Sequence, residues 1–336
     1  MEERDVIIVG GGPAGLSAGI YSALDKWRTT IFEGNWIGGQ LSIAYTVLNY
    51  PGFLPGDGEE LTEKMRKQVE NLGVEIRGEN VTFIDPDKKI VRTDGGEYQT
   101  PAIILACGAR MQKLGAKGED KFIGKGVSYY AKRDYKNFEG KRVLVVGGGN
   151  STAKSAILSK TVAKDVIMIH RQEYLRTYPR MTDLLQKTGV NVMYNTELLE
   201  IRGSDHVEEV VLVNNKTKEK KTVPVDWVVI CVGTSPNLDL AKEMGLKIEN
   251  NHVWVDEKFM TSKQGIFACG DMIGKPFHVI NAAAEGASAG MAASEYLAME
   301  LVKRGIMFAG AKNGKYAYEY EEMLKRGGSY GGSKRS

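Results

Sequence analysis

Asp5-Val6-Ile7-Ile8-Val9-Gly10-Gly11-Gly12-Pro13-Ala14-Gly15 is the stretch whose reading decides the fold. Four apolar residues in a row, Val6 to Val9, read as a strand buried on both faces. They run into Gly10-x-Gly12-x-x-Gly15, and the following LSAGIYSAL has helical spacing. Strand, glycine turn and helix in that order form a dinucleotide site. Gly10 permits the tight turn, Gly12 lets backbone approach a pyrophosphate, and Gly15 lets helix lie close on strand. The phosphate charge then faces the unpaired N–H groups and the positive dipole end of the helix. Glu33, closing the next apolar strand (Thr29 to Phe32), stands where an acid takes a ribose hydroxyl pair.

Composition sets the limits around this motif. A chain of 336 residues exceeds what one core usually holds, so two domains are expected. Hydrophobic content of 42% and charged content of 26% describe an ordinary globular protein. A net charge of +3 is too small to argue for nucleic acid or a membrane surface as partner. No apolar run reaches the roughly 18 residues a membrane span needs, and the start lacks a signal peptide's pattern, so a cytoplasmic protein is expected. The three cysteines, Cys107, Cys231 and Cys269, are far apart and form no CxxC pair. Neither a local redox dithiol nor a metal site is expected from them. They read as small buried side chains beside turns.

Along the chain, Gly38-Gly39-Gln40-Leu41 and Asn49-Tyr50-Pro51-Gly52 are breaker-rich loops of the kind that approach a ligand. Residues 59–72 read as an amphipathic helix with Leu61, Met65, Val69 and Leu72 on one face. Another buried strand, Ala102 to Ala106, ends in Cys107-Gly108. Then the opening repeats: Arg142 to Val146 leads into Gly147-Gly148-Gly149-Asn150-Ser151 and a helical run. The strand that follows ends in His170-Arg171 instead of an acid. An internal repeat of this unit implies two dinucleotide sites in one chain. A closing segment, Ile266 to Asp271, and an Ala/Gly-rich helix from about Ile280 to Leu301 complete an α/β fold of two Rossmann-like domains of the three-layer ββα type, the second inserted in the first. The expected boundaries are 1–113 and 241–305 for the first domain and 114–240 for the second. A Tyr-bearing C-terminal extension, 306–336, follows.

These segments together resemble the two-dinucleotide-binding flavoproteins, and within them the low-molecular-weight thioredoxin reductase branch, over about residues 5–301. The likeness is carried by GGGPAG, GGQL, LNYPG, ILACGA, GVSY, VVGGGNS, IHRQEYLR, CVGTSPN and FACGD. It implies FAD in the first domain and NADPH or NADH in the second, and a homodimer. By the resemblance, Gly10, Gly12, Pro13, Ala14, Gly15, Phe32, Glu33, Gly39, Gln40, Leu41, Asn49, Val81, Cys107, Gly108, Asp271, His278, Val279 and Ile280 would line the FAD. Gly147, Gly149, Asn150, Ser151, His170, Arg171 and Arg176 would hold the nicotinamide nucleotide.

Departures from the family shape the functional expectation. After GVSY the thioredoxin reductases carry Cys-Ala-Thr-Cys-Asp, whereas this chain reads Tyr130-Ala131-Lys132-Arg133-Asp134. Without two thiols the flavin has no local disulfide to reduce. Lys132 and Arg133, with Asp134, are expected to flank the flavin by analogy, as a cationic patch suited to an acidic electron carrier. Arg171 and Arg176, with Gln172 between them, still offer two guanidinium groups to a 2′-phosphate, which favours NADPH. Thr152 stands at the last small position of the second fingerprint, where a β-branched residue is expected to loosen packing. Lys154-Ser155 replace the family's acidic pair.

The chain therefore reads as an FAD-dependent NAD(P)H oxidoreductase that passes electrons to a non-disulfide acceptor such as ferredoxin, a quinone or oxygen. Ferredoxin–NADP reductases of the same family likewise lack the cysteines and cover the flavin with an aromatic C-terminal extension. Two alternatives stand beside this reading. One is a flavin-binding sensor or subunit with little nucleotide turnover, and the other a disulfide reductase using Cys107 or Cys269.

Overall fold

The structure is a computed structural model and describes residues 1–274 and 276–303. The Tyr-bearing extension expected at 306–336 lies outside the described residues. The helices are α1 (Pro13–Leu24), α2 (Gly58–Asn71), α3 (Ala131–Asp134), α4 (Asn150–Lys160), α5 (Pro179–Lys187), α6 (Asp239–Glu243) and α7 (Val279–Lys303). Two compact units share the chain. One holds Met1–Gly39, Glu63–Gly108 and the described residues from Leu238 on; the other holds Gln40–Thr62 and Ala109–Asn237.

In the first unit five parallel strands lie in the order Ile266–Ala268, Ala102–Leu105, Val6–Val9, Thr29–Phe32, Glu75–Arg77. The first four are buried along their whole length, which is why they show no inside-outside alternation; three are unbroken apolar runs, and the fourth opens on the buried Thr29 and Thr30. One sheet face packs on a smaller sheet through Ile84, Val91 and Tyr98, and on α6 through Leu238, Ala241 and Met244. α1 and α7 lie close together along their small residues. A Cβ at Gly286 would run into the Ala14 carbonyl oxygen, and one at Gly290 would lie 2.7 Å from that of Ala18.

The second unit repeats this plan. Its parallel order is Val127–Ser128, Trp227–Ile230, Arg142–Val146, Asp165–Ile169, Asn191–Met193, again with the glycine-turn strand in the middle. Leu144, Val146 and Ile169 face an antiparallel sheet of Thr196–Arg202, Glu209–Asn214 and Lys220–Pro224. Val143, Val145 and Met168 face α4 and α5 through Ala153, Ala156 and Leu185. Each unit is therefore a three-layer ββα sandwich, and the parallel sheets are the two Rossmann-like cores the sequence implied.

α2 spans the helix read at 59–72. Leu61, Met65 and Val69 are buried as expected, but Leu72 lies past its end and stays 37% exposed. No described helix is long and apolar enough to cross a membrane. Among the described residues no cluster of His, Cys, Asp and Glu could hold a metal.

Candidate functional site

In the first unit the loop after Val6–Val9 is built as a cradle. Gly10 has φ +109°, and a Cβ there would strike the Ala106 carbonyl oxygen. A Cβ at Gly15 would strike the Gly10 carbonyl oxygen, so only glycine lets α1 start this close to the strand. At Gly12, the extended N-cap of α1, nothing lies within 4 Å of where a Cβ would sit, and no side chain caps the helix. Pro13 occupies the first turn, where its missing N–H costs nothing. Open backbone, uncapped N–H groups and the dipole's positive end at one point are what a pyrophosphate requires.

Around this cradle stand the other expected residues of the unit. Glu33 Oε2 accepts from Gly11 N–H at 2.7 Å and Oε1 from Asn35 N–H at 2.9 Å. Its carboxylate is thus fixed beside the turn, with lone pairs left for a hydroxyl. Asp271 follows Gly270 in a short 3-10 turn and accepts no hydrogen bond from a described residue. Burial raises its pKa, opposed by the charge of His278. A half-buried carboxylate without a donor suits a polyol or ribose hydroxyl partner. His278, Val279 and Ile280 enter α7. Cys107 and Gly108 close the Ala102–Leu105 strand, with the Cys107 thiol donating to the Val9 carbonyl at 3.7 Å. Phe32 is fully buried against Tyr98, and Val81 is half-buried against the same core. Gln40 and Asn49 lie in the second unit, where Gln40 Nε2 donates to the Ala109 carbonyl at 2.7 Å and Asn49 is exposed. Glu285 on α7 was not singled out in the sequence. It accepts the Gly270 N–H at 2.9 Å and so holds the turn that presents Asp271.

The second fingerprint has the same geometry. Gly147 has φ +143° and would meet the Cys231 carbonyl oxygen, while Gly149 is the open, extended N-cap of α4. Gly148 must be glycine because the His170 ring lies against it. Thr152 corrects the expectation of loose packing: it is completely buried and its hydroxyl is used twice. Thr152 Oγ1 accepts from Gly149 N–H at 3.3 Å and donates to the Cys231 carbonyl at 3.2 Å, tying the helix start to the neighbouring strand. Ser151, by contrast, is exposed on the first turn of α4.

The loop after Ile169 is pinned over this turn. Arg176 N–H donates to the Gly148 carbonyl at 2.8 Å, and Asn150 Oδ1 accepts from Tyr178 N–H at 3.0 Å. Asn215 Nδ2 donates to the Arg171 carbonyl at 2.7 Å, and Asn195 N–H to that of Gln172 at 3.2 Å. The Arg171 and Arg176 side chains are exposed and form no ion pair or hydrogen bond with a described residue. Most other arginines here are paired, as Arg142 is with Asp226 at 2.7 Å. Two free guanidinium groups held by their backbones beside a helix N-terminus are poised for a phosphate. Burial, reinforced by Arg176 and Arg171, lowers the pKa of His170, so the ring is neutral at pH 7. Gln172 lies near enough to favour its protonated form slightly. Yet His170 Nε2 and Gln172 Oε1 are both buried without a hydrogen bond of normal geometry. The two cradles fit two dinucleotides.

The segment at 130–134 differs from the expectation. Arg133 lies over the Tyr130 ring, 5.0 Å from its centroid, and pairs with Asp134 at 3.0 Å. Asp134 in turn accepts from Ser128 Oγ at 2.5 Å. Lys132 Nζ donates to the Ala44 carbonyl at 2.8 Å. The expected cationic patch is therefore largely spent on internal partners. The cysteines are equally committed. All three are free thiols, with Cys269 buried and Cys107 and Cys231 keeping some exposed surface. Burial of the sulfurs pushes Cys107 up to about 12 and Cys231 up to about 11, and raises Cys269 as well.

Residues 4–286 match the pyridine nucleotide-disulphide oxidoreductase family. The chain is 33% identical over 301 residues to the "34.2 kDa protein in rubredoxin operon" of Clostridium pasteurianum, covering 88% of this chain and 98% of that one. It is 37% identical over 300 residues to the thioredoxin reductase of Treponema pallidum, covering 88% and 97%. Among solved structures, Lactococcus lactis thioredoxin reductase superposes with a TM-score of 0.80 at 32% identity, covering 88% and 99%.

Proposed function

The chain belongs to the pyridine nucleotide-disulphide oxidoreductase family, and we propose that it carries electrons from NADPH to an acceptor other than a disulfide. As a thioredoxin reductase-like member it is a flavin-dependent NAD(P)H oxidoreductase, with FAD and a nicotinamide nucleotide as cofactors. FAD, when bound, supplies the relay between a two-electron donor and its acceptor. Gly10, Gly12, Ala14, Gly15, Glu33 and Asp271 are the residues assigned to hold it. Gly147, Gly149, Arg171 and Arg176 are assigned to the nucleotide, with the two free arginines placed for a 2′-phosphate.

One observation carries the choice of acceptor: the place of the family's dithiol is taken by Tyr130 and Arg133, stacked on each other. No cysteine elsewhere replaces it. A thiolate is the form that attacks a disulfide, and all three thiols are held protonated at neutral pH by burial. A small one-electron carrier protein is the acceptor favoured here, supported by the relative named for a rubredoxin operon. One NADPH would reduce two such carriers and release one proton. Because Lys132 and Arg133 are internally paired, the acceptor reading does not lean on their charge. A sensor without nucleotide turnover is motivated by Thr152 and by Lys154-Ser155 in place of the acidic pair, and the burial and two hydrogen bonds of Thr152 remove the first of these grounds. A homodimer belongs to the proposal, supported by the family likeness and by exposed apolar residues such as Leu24, Met291 and Met299.

The test is anaerobic mixing with NADPH, followed by reoxidation with rubredoxin, ferredoxin or thioredoxin. We expect the flavin band to bleach and either iron protein, but not thioredoxin, to restore it. No bleaching, or reoxidation by thioredoxin alone, would reject the proposal.

A further inference from the structure

The hairpin between the strands Glu209–Asn214 and Lys220–Pro224 belongs to no fingerprint, yet its tip grips the arginine loop of the second unit. The tip is fixed by its own bonds. Asn214 Oδ1 accepts from the N–H groups of Lys216 at 2.9 Å and Thr217 at 3.0 Å, and Lys218 turns the chain at φ +65°. Asn215 then reaches across. Its Nδ2 donates to the Arg171 carbonyl at 2.7 Å and to Glu197 Oε1 at 2.8 Å. Its backbone N–H donates to the Asn195 carbonyl at 2.7 Å, and Asn195 N–H donates in turn to the Gln172 carbonyl at 3.2 Å. Next to it, Lys216 Nζ closes on Glu173 Oε2 at 2.5 Å.

The two arginines of that loop are held in different ways. Arg176 is tied to the fingerprint turn, through its N–H to the Gly148 carbonyl at 2.8 Å and a bridge beside Gly149. Arg171 has its backbone carbonyl on Asn215, and so depends on a residue 44 positions away. Glu173 lies between them, the one carboxylate from Arg171 to Arg176. An ionised acid there repels a phosphate that sits within a Debye length of about 8–10 Å. Lys216 offsets that charge. The pair is well exposed, with 59% of the Lys216 side chain and 64% of the Glu173 side chain open to solvent. An ion pair so exposed adds little to stability. Its consequence lies in the local field of the loop.

We propose that this hairpin tip is a specificity clamp, with Asn215 and Lys216 as positioning residues for the 2′-phosphate of the nucleotide. This rests on reading Arg171 and Arg176 as the 2′-phosphate site. Asn215 sets where the Arg171 guanidinium can reach, because it fixes the backbone from which that side chain grows. Lys216 screens Glu173, so that the loop presents net positive charge to the phosphate. Neither residue needs to touch the ligand. A nucleotide carrying a 2′-hydroxyl instead has no charge at this place and gains little from either.

The experiment is calorimetric titration of the FAD-loaded protein with 2′,5′-ADP and with 5′-AMP, which lacks only the 2′-phosphate. The ratio of the two affinities reads that phosphate alone. Asn215→Ala should lower the ratio roughly two- to tenfold, the range one net hydrogen bond spans. Added to Arg171→Ala it should cost nothing more, whereas its loss should add to that of Arg176→Ala. Lys216→Gln should lower the ratio about two- to fivefold, the range of an exposed charge pair, and Glu173→Gln in the same chain should restore it. A wild-type ratio in folded Asn215→Ala, or a loss that simply adds to that of Arg171→Ala, would overturn the clamp and leave the arginine site standing. So would a wild-type ratio in Lys216→Gln, or a loss that Glu173→Gln does not repair. Lys216 and Glu173 are exposed, so their variants decide the matter if Asn215→Ala does not fold. Wild-type protein that binds 2′,5′-ADP no better than 5′-AMP would overturn the arginine reading itself, and the clamp with it.

Discussion

Thr152 shows how a single side chain can reverse a reading made from its type. A β-branched residue at the fingerprint's closing position looks like a packing fault. Its hydroxyl instead bridges the Gly149 N–H and the Cys231 carbonyl in a fully buried place. Thr152→Val keeps the shape and leaves two backbone groups without that partner. The expected loss is about 1–3 kcal/mol of unfolding free energy in denaturant titration, with the flavin unit's own transition unmoved if the two units melt separately. Cysteine chemistry also belongs to this scale. Since Cys107 and Cys231 are raised to about 12 and about 11, an alkylating reagent at pH 8 should label neither thiol in native protein, and both after unfolding. The sign for stability follows. The folded thiols keep their protons at a pH where unfolded thiols, near 8.5, lose them. Stability contributed by the protonated thiols is therefore present below about pH 8.5 and falls as pH rises toward 11, which thermal melts across that range would register.

At the scale of elements, the two strand–turn–helix units dominate. α1 and α7 approach through Gly286 and Gly290, so Gly286→Ala places a methyl group against the Ala14 backbone. Overpacking of this kind costs about 1–3 kcal/mol, and here it also shifts the start of α1. The purified variant should contain less FAD by absorbance, while 2′,5′-ADP still binds the second unit. In that unit, Arg176→Ala removes one of two unpaired guanidinium groups while leaving the backbone bond to Gly148 intact. The KM for NADPH should rise roughly tenfold or more and that for NADH stay level, since only NADPH carries the extra phosphate. Both fingerprints were legible because their code is local: an apolar run, glycines at fixed offsets, a helix. The Thr196–Arg202 strand was not, because a bulge between Leu198 and Glu200 breaks its alternation. The supports of the site were hidden for a related reason. Asn195 and Asn215 reach the Arg171 loop, and Glu285 reaches Gly270, from elsewhere in the chain. No spacing within a motif reports a partner so distant.

For the whole molecule, the fold supplies two cradles and leaves the chemistry to what lies between donor and acceptor. Relatives named thioredoxin reductase share nearly the full length of this chain, so the fold alone cannot decide the acceptor. The proposed non-disulfide acceptor rests on Tyr130 and Arg133, and on the burial of the three sulfurs. The most direct measurement is steady-state electron transfer from NADPH to rubredoxin by a variant with Cys107, Cys231 and Cys269 all changed to serine. Flavin content and turnover should stay within about twofold of the wild type, and neither protein should reduce thioredoxin. If the folded, FAD-loaded variant lost its turnover while the wild type reduced thioredoxin, a cysteine would lie on the electron path and the acceptor would be a disulfide after all.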